Sequence, residues 1–405
     1  MQEQQKRWGQ RLLAFVLMAV YFVAMCSLHY HQLCATEGFP SDLPQHLDEA
    51  LRGEVYTLAY LLIPPAYALA KEWGMAVLLA IFQVAAMGVF AWALRPAAPQ
   101  MSAPVRWIVS LIVNLSQAVW IPRGGYWYLG TVNGVNYHNT TYIMLAPFAL
   151  LAVVSFYRVW QQMESGLNRR DWLVYTVLLT VATGFKASLV FAFAPALLVV
   201  LVIDLVRTRG TNLKCEILVG CSVLPSIALC LLESVVLFGG ESGGLQLVFQ
   251  VDPAEFATHE ISWGLFTEAS RRGLVRSFVF VGAVAVLLGR RAWGNFRYRF
   301  SLLTFAIAMA EALLIIESGD RMSHANLWWG PFICFWIFFL ESFCAWLRGW
   351  TAWRAGSRTA CLGGRLAICA AALLWHIISG ICFLVQMLQG ASFKIPIATW
   401  QLWPF

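Results

Sequence analysis

The chain has 405 residues, of which 60% are hydrophobic and 12% are charged. A soluble domain carries about 25% charged residues, so this composition excludes a soluble protein as well as the disordered, collagenous and disulfide-scaffold classes. A polytopic membrane protein remains, since about 20 apolar residues make one helical span. The net charge of +7 is explained by basic cytoplasmic loops, and no basic stripe interleaved with aromatic residues indicates nucleic-acid binding.

Apolar runs in chain order predict an all-α integral membrane protein, a single polytopic domain over residues 1–405 with about eleven transmembrane helices. A twelfth run, 55–70, is interrupted by two prolines and ends at Lys71; we interpret it as an amphipathic or re-entrant helix on the outer face. The predicted spans cover 12–28, 75–94, 107–121, 141–157, 172–185, 189–206, 215–238, 273–289, 300–316, 327–347 and 366–388.

The basic residues predict the orientation. With the N-terminus inside and the C-terminus outside, 19 of the 28 basic residues fall on the inner side, as the positive-inside rule requires. Residues 1–28 are then an uncleaved signal anchor. The first outer loop, 29–74, and a later one, 239–272, are long and polar. We therefore expect function to face the periplasm or exterior of a cytoplasmic membrane.

The first outer loop contains the sequence SDLPQH over 41–46. Ser41 or Asp42 can cap a helix that starts near Pro44, which places His46 on the same side of its first turn as Asp42. A carboxylate and an imidazole that converge at the membrane face suit general base catalysis. The alternative is that Asp42 only caps the helix.

Two further outer segments place polar residues beside apolar runs. The stretch that leads to His138 and Asn139 mixes glycine, aromatic and amide residues, which suits a sugar site; the alternative is an interfacial aromatic belt. Lys186 lies between two spans with almost no loop. A lysine in that position either snorkels or binds an anion, for which a lipid phosphate is the natural choice.

The segment after the ninth span places polar side chains of different types between two apolar runs. It reads ESGDRMSHANLWWG from residue 317 and contains Glu317, Arg321, His324 and Asn326. Arg321 departs from the positive-inside bias, and its planar guanidinium matches phosphate oxygens. The alternative is that Glu317 simply neutralises it.

These residues resemble the GT-C class of integral-membrane glycosyltransferases, particularly its bacterial polytopic members. The order and the topology of four local matches agree with that class over most of the chain. The matches are SDLPQH at 41–46, YHNTT at 137–141, FKAS at 185–188, and ESGDR followed by HANLW between 317 and 328.

The resemblance implies an enzyme that transfers a sugar, with inversion, from a polyprenyl-phosphate or polyprenyl-diphosphate carrier to a glycan or lipid-linked acceptor. Such an enzyme builds or decorates a surface polysaccharide of the cell envelope. The resemblance also implies that Asp42 deprotonates the acceptor and that Lys186 and Arg321, with Arg271 and Arg272 as further positions, hold the phosphate. Many relatives carry a paired-acid motif in the first loop, whereas Asp42 is followed by leucine and proline. We therefore predict no cofactor and assign no metal ligands; a bound divalent metal stays open as an alternative that no paired-acid motif supports.

Two alternatives to a single-sugar transferase stay open. One is an O-antigen-type polymerase or ligase that moves whole oligosaccharides from a polyprenyl diphosphate, and the other is a non-enzymatic flippase or transporter of lipid-linked glycans. A transporter would place polar residues near mid-membrane in two related halves, and no internal repeat is evident. The predicted site residues are Asp42 and His46 for catalysis and His138, Asn139, Lys186, Glu317, Arg321, His324 and Asn326 for substrate binding.

Overall fold

The structure, a computed structural model, describes residues 2–35, 37–54, 56–120, 137–238, 244–247, 268–318, 322, 326–356 and 359–390. The first half contains α1 (Gln2–Leu33), α2 (Leu43–Leu51), α3 (Leu58–Ala70), α4 (Glu72–Ala93), α5 (Ala103–Asn114), α6 (Thr140–Trp160), α7 (Arg169–Phe185) and α8 (Ser188–Thr208).

The second half is also helical. It contains α9 (Leu213–Cys221), α10 (Leu224–Phe238), α11 (Glu268–Ala283), α12 (Arg290–Trp293), α13 (Phe296–Leu314), α14 (Trp329–Ala355) and α15 (Ala360–Leu388). A π-helical stretch, Val284–Leu288, continues α11, and a 3-10 turn, Asn326–Trp328, leads into α14.

Seven stretches of the described helices are long and apolar enough to cross a membrane, which confirms the prediction of a helical membrane protein. They are Arg7–Leu33, Glu72–Ala93, Thr140–Trp160, Ser188–Thr208, Leu213–Val235, Asn326–Ala355 and Ala360–Leu388. The other four predicted spans coincide with α5, α7, α11 and α13. The total of eleven spans and their orientation stay predictions.

The predicted span 107–121 is wrong in its second half. Helix α5 ends at Asn114 after 12 residues, a rise of about 18 Å, and residues 115–120 are not helical. Other helices supply the hydrogen bonds that this backbone needs: Gln117 N donates to His376 O over 3.0 Å. Unwound backbone at membrane depth is tolerated where protein surrounds it.

Gly380 allows the unwound segment to lie directly on α15. A Cβ at this position would overlap the backbone carbonyl of Leu115. The contact continues at Trp120, whose N donates to Ser379 Oγ over 2.9 Å and whose carbonyl oxygen accepts from Trp375 Nε1 over 3.0 Å. A close backbone approach of this kind requires a residue without a side chain.

The proline-containing run 55–70 contains the short helix α3, which packs against α4 as a tight helical hairpin. Its 13 residues rise about 20 Å, short of a 30 Å hydrocarbon core. The turn is a single residue, Lys71, with a positive φ of 55°. Gly74 permits the tight turn, because a Cβ there would overlap the backbone carbonyl of Ala66.

A small antiparallel sheet departs from the all-α prediction. Strand β1 (Leu245–Leu247) pairs with β2 (Ile315–Glu317), with Leu245 opposite Glu317. The span predicted to end at 316 therefore ends as a helix at Leu314. Ser318 N extends the pairing by donating to Gly244 O over 2.8 Å. The sheet holds residues 244–247, which belong to the predicted outer loop 239–272, beside Glu317.

Helices α6 and α14 form the enclosed centre of the bundle. Both are buried on most of their faces, whereas α1 and α8 expose many leucine and valine side chains. Helix α6 packs against α4 and α7, and α14 packs against α13, α8 and α15. Because α6 and α14 lie inside, residues at their N-terminal ends are held by several neighbours.

Candidate functional site

Four segments that the sequence analysis selected meet where α2, α6, α8 and α14 begin. Asp42 precedes α2, His138 precedes α6, Lys186 precedes α8, and Trp329 is the first residue of α14. We call these four residues the outer cluster, after the side of the membrane on which the sequence predicts their segments. A helix N-terminus presents unpaired N–H groups and a partial positive charge, so this arrangement favours an anion.

Asp42 faces His138. The Asp42 Oδ2 and His138 Nε2 atoms are 3.8 Å apart, and the carboxylate is 41% exposed while the imidazole is 3% exposed. The backbone joins the same two segments, since Asp42 N and Ser41 Oγ both donate to His138 O, over 3.2 and 3.1 Å. The carboxylate is therefore reachable from outside and fixed in position from within.

Asp42 does not cap the helix that it precedes. It occupies the N-cap position of α2, but its side chain makes no capping hydrogen bond, and Leu43 N donates instead to Ser41 Oγ over 3.2 Å. The alternative in which Asp42 serves only as a helix cap is therefore wrong. Its carboxylate faces His138 instead.

Lys186 and His138 share the indole of Trp329. The Lys186 ammonium lies 4.6 Å from the centroid of the Trp329 ring, and the His138 and Trp329 ring centroids are 5.6 Å apart. A cation over an indole face is attracted by its quadrupole. Sequence reasoning missed Trp329 as a site residue, although the Trp328-Trp329 pair after the polar segment was a signal for it.

Hydrogen bonds from α3 and α6 hold Lys186 at the α7–α8 junction. Thr57 Oγ1 lies 3.0 Å from Gly184 O and 2.9 Å from Phe185 O, with its proton directed to these carbonyls. The Lys186 Nζ donates to Thr141 Oγ1 over 3.1 Å. The long aliphatic stem of Lys186 therefore does not snorkel freely, and its ammonium has a defined direction.

The pKa of Lys186 is lowered to about 8, first by burial of the ammonium, while the charges of Asp42 and Glu317 act in the opposite direction. Lys186 is consequently a cation at neutral pH and loses its charge when the pH rises through about 8. The influence of both carboxylates also shows that the segments of Asp42 and Glu317 lie near Lys186. An anionic ligand can therefore bind the Lys186 ammonium in place of one of these carboxylates.

His46 does not pair with Asp42 in the way that the helical spacing predicts. Its backbone N donates to Asp42 O over 3.1 Å, but its ring is held by Tyr60 OH, 2.7 Å from Nδ1, and by Asn139 Nδ2, 3.2 Å from Nε2. The imidazole against Asp42 is that of His138. The spacing argument failed because Tyr60, from another helix, binds the His46 ring.

The tautomer of His46 follows from the orientation of Asn139. Asn139 Oδ1 accepts from Tyr142 N over 3.0 Å and from Thr141 Oγ1 over 2.8 Å, so its amide nitrogen faces His46. His46 Nε2 must accept that proton, and Nδ1 therefore carries the ring proton and donates to Tyr60. This neutral, fully bonded ring has no free nitrogen for base catalysis.

Burial is also the first cause of the lowered pKa of His46, about 4, with the nearby Lys186 charge acting in the same direction and Glu49 against it. The imidazole therefore stays neutral at physiological pH. Geometry and charge both give His46 a positioning role in place of the catalytic role that the sequence suggested.

Glu49 is a half-buried carboxylate that the sequence analysis did not select. Its Oε2 accepts from Tyr60 OH and, over 2.8 Å, from Tyr56 OH, while Oε1 accepts from Gln45 Nε2 over 2.7 Å. These hydrogen bonds hold the pKa of Glu49 below its ordinary value although burial would raise it. The signal was present in the sequence, because Tyr56 and Tyr60 are spaced for one helix face.

Glu317 and Asn326 are joined across the segment between α13 and α14. Asn326 Nδ2 donates to Glu317 Oε2 over 2.8 Å. The predicted phosphate ligand Arg321 and the predicted substrate ligand His324 lie outside the described residues, as do the glycine- and aromatic-rich stretch 121–136 and the side chains of Arg271 and Arg272.

No family model, curated protein or solved structure matches the chain. The chemistry of the site therefore has to be argued from its geometry. The outer cluster combines an accessible carboxylate, a fixed cation and two aromatic rings, and such a set can remove a proton from one group and neutralise an anion on another.

Proposed function

We propose that this protein is a GT-C-like, inverting membrane glycosyltransferase. It moves a sugar from a polyprenyl-phosphate or polyprenyl-diphosphate carrier to a glycan or lipid-linked acceptor, on the outer side of a cytoplasmic membrane. The eleven-span topology with the N-terminus inside is part of the proposal. The observation that carries it is the meeting of Asp42 and Lys186, from two separate outer segments, around the side chains of His138 and Trp329.

Asp42 is the general base of the proposed reaction. The acceptor hydroxyl oxygen forms a bond to the anomeric carbon while its proton passes to the Asp42 carboxylate. The bond between the anomeric carbon and the carrier phosphate oxygen breaks, and that oxygen leaves with the electron pair. A single displacement of this kind inverts the anomeric centre. The 41% exposure of the carboxylate leaves it within reach of an acceptor.

Lys186 neutralises the departing phosphate. Its ammonium is fixed between Thr141 and Trp329, so little reorganisation is needed as negative charge grows on the leaving oxygen. The N-termini of α8 and α14 add partial positive charge at the same place, because neither has a side-chain cap. Trp329 also offers an apolar face beside the cation for a sugar ring or an isoprenoid unit.

The proposed base is tested by two matched substitutions in the first outer loop. Asp42→Asn removes the base, and Asp48→Asn changes an exposed carboxylate of the same helix that pairs with Arg52 over 3.1 Å. Each variant is expressed as the only copy in a deletion strain, and lipid-linked intermediates are measured by mass spectrometry. We expect the carrier-linked sugar to accumulate with Asp42→Asn, since loss of a general base slows a reaction about 10²–10⁴-fold.

Asp48→Asn is expected to restore the wild-type lipid profile. If Asp42→Asn also restores it while membrane levels of the two variants are equal, the base assignment is wrong. The mass of the accumulated intermediate separates the alternatives within the enzyme class: a single sugar on the carrier indicates a transferase, and an oligosaccharide indicates a polymerase or ligase. A flippase is indicated by a different result: the lipid-linked glycan keeps its mass but stays on the inner side of the membrane.

A further inference from the structure

A continuous line of hydrogen bonds joins the Lys186 ammonium to the Glu49 carboxylate through α6, α2 and α3. We call this line the hydrogen-bond array. Its links run from Lys186 Nζ to Thr141 Oγ1 over 3.1 Å, from Thr141 Oγ1 to Asn139 Oδ1 over 2.8 Å, from Asn139 Nδ2 to His46 Nε2 over 3.2 Å, from His46 Nδ1 to Tyr60 OH over 2.7 Å, and from Tyr60 OH to Glu49 Oε2.

All the hydrogen bonds of the array point the same way. The single hydroxyl proton of Thr141 goes to Asn139, so its oxygen is free to accept from Lys186. Asn139 gives an amide proton to His46, and His46 and Tyr60 each give their one proton onward. The array therefore begins at a cation, ends at an anion, and polarises every group between them in one direction, which strengthens the individual bonds.

The array orients groups and does not conduct protons. A proton relay would have to pass through the Asn139 amide, which neither gains nor loses a proton near neutral pH. Asn139 and Thr141 are both buried, so the orientation of each is decided by its partners. The Thr141 hydroxyl keeps its lone pair toward Lys186 only while Asn139 keeps its oxygen toward Thr141.

We propose that Glu49 and Tyr60 are positioning residues for Lys186: they polarise the array and so strengthen the hydrogen bond by which Thr141 holds the ammonium. The assignment of that ammonium to the donor phosphate rests on the proposed function, whereas the array rests on the described contacts. Glu49 is suited to the terminal position because its second oxygen is held by Gln45, which leaves the carboxylate no freedom to turn away from Tyr60.

Two tyrosines, one just before α3 and one in its first turn, provide a matched test. Tyr60 and Tyr56 both donate to Glu49 Oε2, but Tyr60 alone bonds His46 among their described contacts. Tyr60→Phe cuts the array. Tyr56→Phe removes the 2.8 Å hydrogen bond between the Tyr56 and Tyr60 hydroxyls but leaves all five links of the array in place. The measurement is the pH dependence of Lys186 acylation by acetic anhydride, followed by mass spectrometry of the purified full-length protein without substrate.

We expect Tyr60→Phe to raise the acylation rate of Lys186 at pH 7 about threefold, the effect of half a pKa unit. In Tyr60→Phe, Asn139 Oδ1 stays bonded to Tyr142 N, so Thr141 keeps its orientation. Without the bonds to Tyr60 and Glu49, however, the array polarises the Thr141 oxygen less, and this oxygen stabilises the charged ammonium less. Asp42 and Glu317, the carboxylates that face Lys186, are unchanged in both variants. Tyr56→Phe is expected to give the wild-type profile.

Thr141→Val removes the acceptor itself while keeping the side-chain shape, and we expect at least the effect of Tyr60→Phe. Glu49→Gln serves as a second test at the far end of the array. The proposal is overturned if Thr141→Val and Tyr60→Phe both label like wild type, or if Tyr56→Phe shifts the profile as much as Tyr60→Phe does.

The labelling experiment separates the array from the proposed enzyme. Acylation is measured without substrate, so it tests the array alone. If Tyr60→Phe shifts the pH profile of Lys186 acylation but the wild type transfers no sugar, the array is supported and the proposed function is wrong. If the wild type transfers sugar but no variant shifts the acylation profile, the proposed function is supported and the role of the array is wrong.

Discussion

The chain breaks its helical structure at the unwound segment 115–120 and at the α7–α8 junction. A basic side chain lies at each break, His376 at the first and Lys186 at the second. At the first, His376 Nδ1 donates to Gln117 O over 2.6 Å and Nε2 accepts from Phe280 N over 3.1 Å. Both ring nitrogens of His376 are thus hydrogen-bonded to backbone groups. At the second, Lys186 contacts a hydroxyl and an indole face and lies near two carboxylates.

The difference separates a structural polar residue from a functional one. His376 supplies one donor and one acceptor to backbone that has lost its helical partners, so its hydrogen-bonding capacity is complete without a ligand. Lys186 is surrounded by side chains whose charges and rings suit exchange with an anion. Hydropathy ranks the two sites alike, because each is one polar residue near an apolar run.

The largest effect is expected at the unwound segment, from Gly380→Ala. The new Cβ would overlap the Leu115 carbonyl, and neither backbone can move without breaking its hydrogen bonds, so we expect a loss of more than about 3 kcal/mol. The measurement is the yield of monodisperse protein and its midpoint of thermal unfolding in detergent. The matched control is Gly364→Ala in the same helix, where the Cβ meets open space.

The second prediction exchanges the two basic side chains for apolar ones. His376→Leu leaves Phe280 N and Gln117 O buried without this partner, at a cost of about 2–4 kcal/mol, so we expect a fall of several degrees in the thermal midpoint. Lys186→Met keeps an unbranched side chain of similar length and is expected to unfold within about two degrees of wild type. Equal losses in the two variants would contradict the comparison.

The third prediction concerns acid. The pKa of His46 is about 4 in the folded protein and ordinarily 6.5. A depressed pKa stabilises the folded state above pH 6.5, and this contribution is lost as the pH falls from 6.5 toward 4. By pH 5 the loss is about 2 kcal/mol. We expect a steeper fall of the thermal midpoint from pH 6.5 to 5 in wild type than in His46→Gln; parallel curves would show that His46 is not the group responsible.

Sequence patterns predicted the helical membrane fold because long apolar stretches have few other solutions in a bilayer. They did not predict the unwound stretch 115–120, since its backbone partners, His376 and Ser379, lie about 260 positions away in the chain. Composition alone cannot predict that a helix distant in sequence will supply hydrogen bonds to these backbone groups. The small β1–β2 pairing was missed for the same reason.

The candidate site divides in a similar way. Asp42, His138 and Lys186 could be selected because each interrupts an apolar or outer segment with a group that costs energy near a bilayer. The contact of Asp42 with His138, in place of His46, depends on how α2 docks on α6. Tyr60 decides the role of His46 from a third helix, and no local spacing contains that information.

The smallest expected effect is the pH dependence of phosphate binding, which tests whether the charge of Lys186 contributes to it. If the ammonium binds the carrier phosphate, affinity for a short-chain polyprenyl phosphate in nanodiscs falls as the pH rises from 7 through 8 to 9. The sign follows from a pKa of about 8: below it the side chain is a cation, and above it the cation is lost. By pH 9 the affinity should be about tenfold lower.

Lys186→Arg is the control for this titration, because a guanidinium stays charged over the whole range and the phosphate ionises identically in both proteins. We expect its affinity to stay flat from pH 7 to 9, even if the longer fork binds less well at every pH. A parallel decline in both proteins would place the titrating group elsewhere. A flat wild-type profile would mean that the Lys186 ammonium does not meet the phosphate, and that the α7–α8 junction is, like the segment at His376, a structural break.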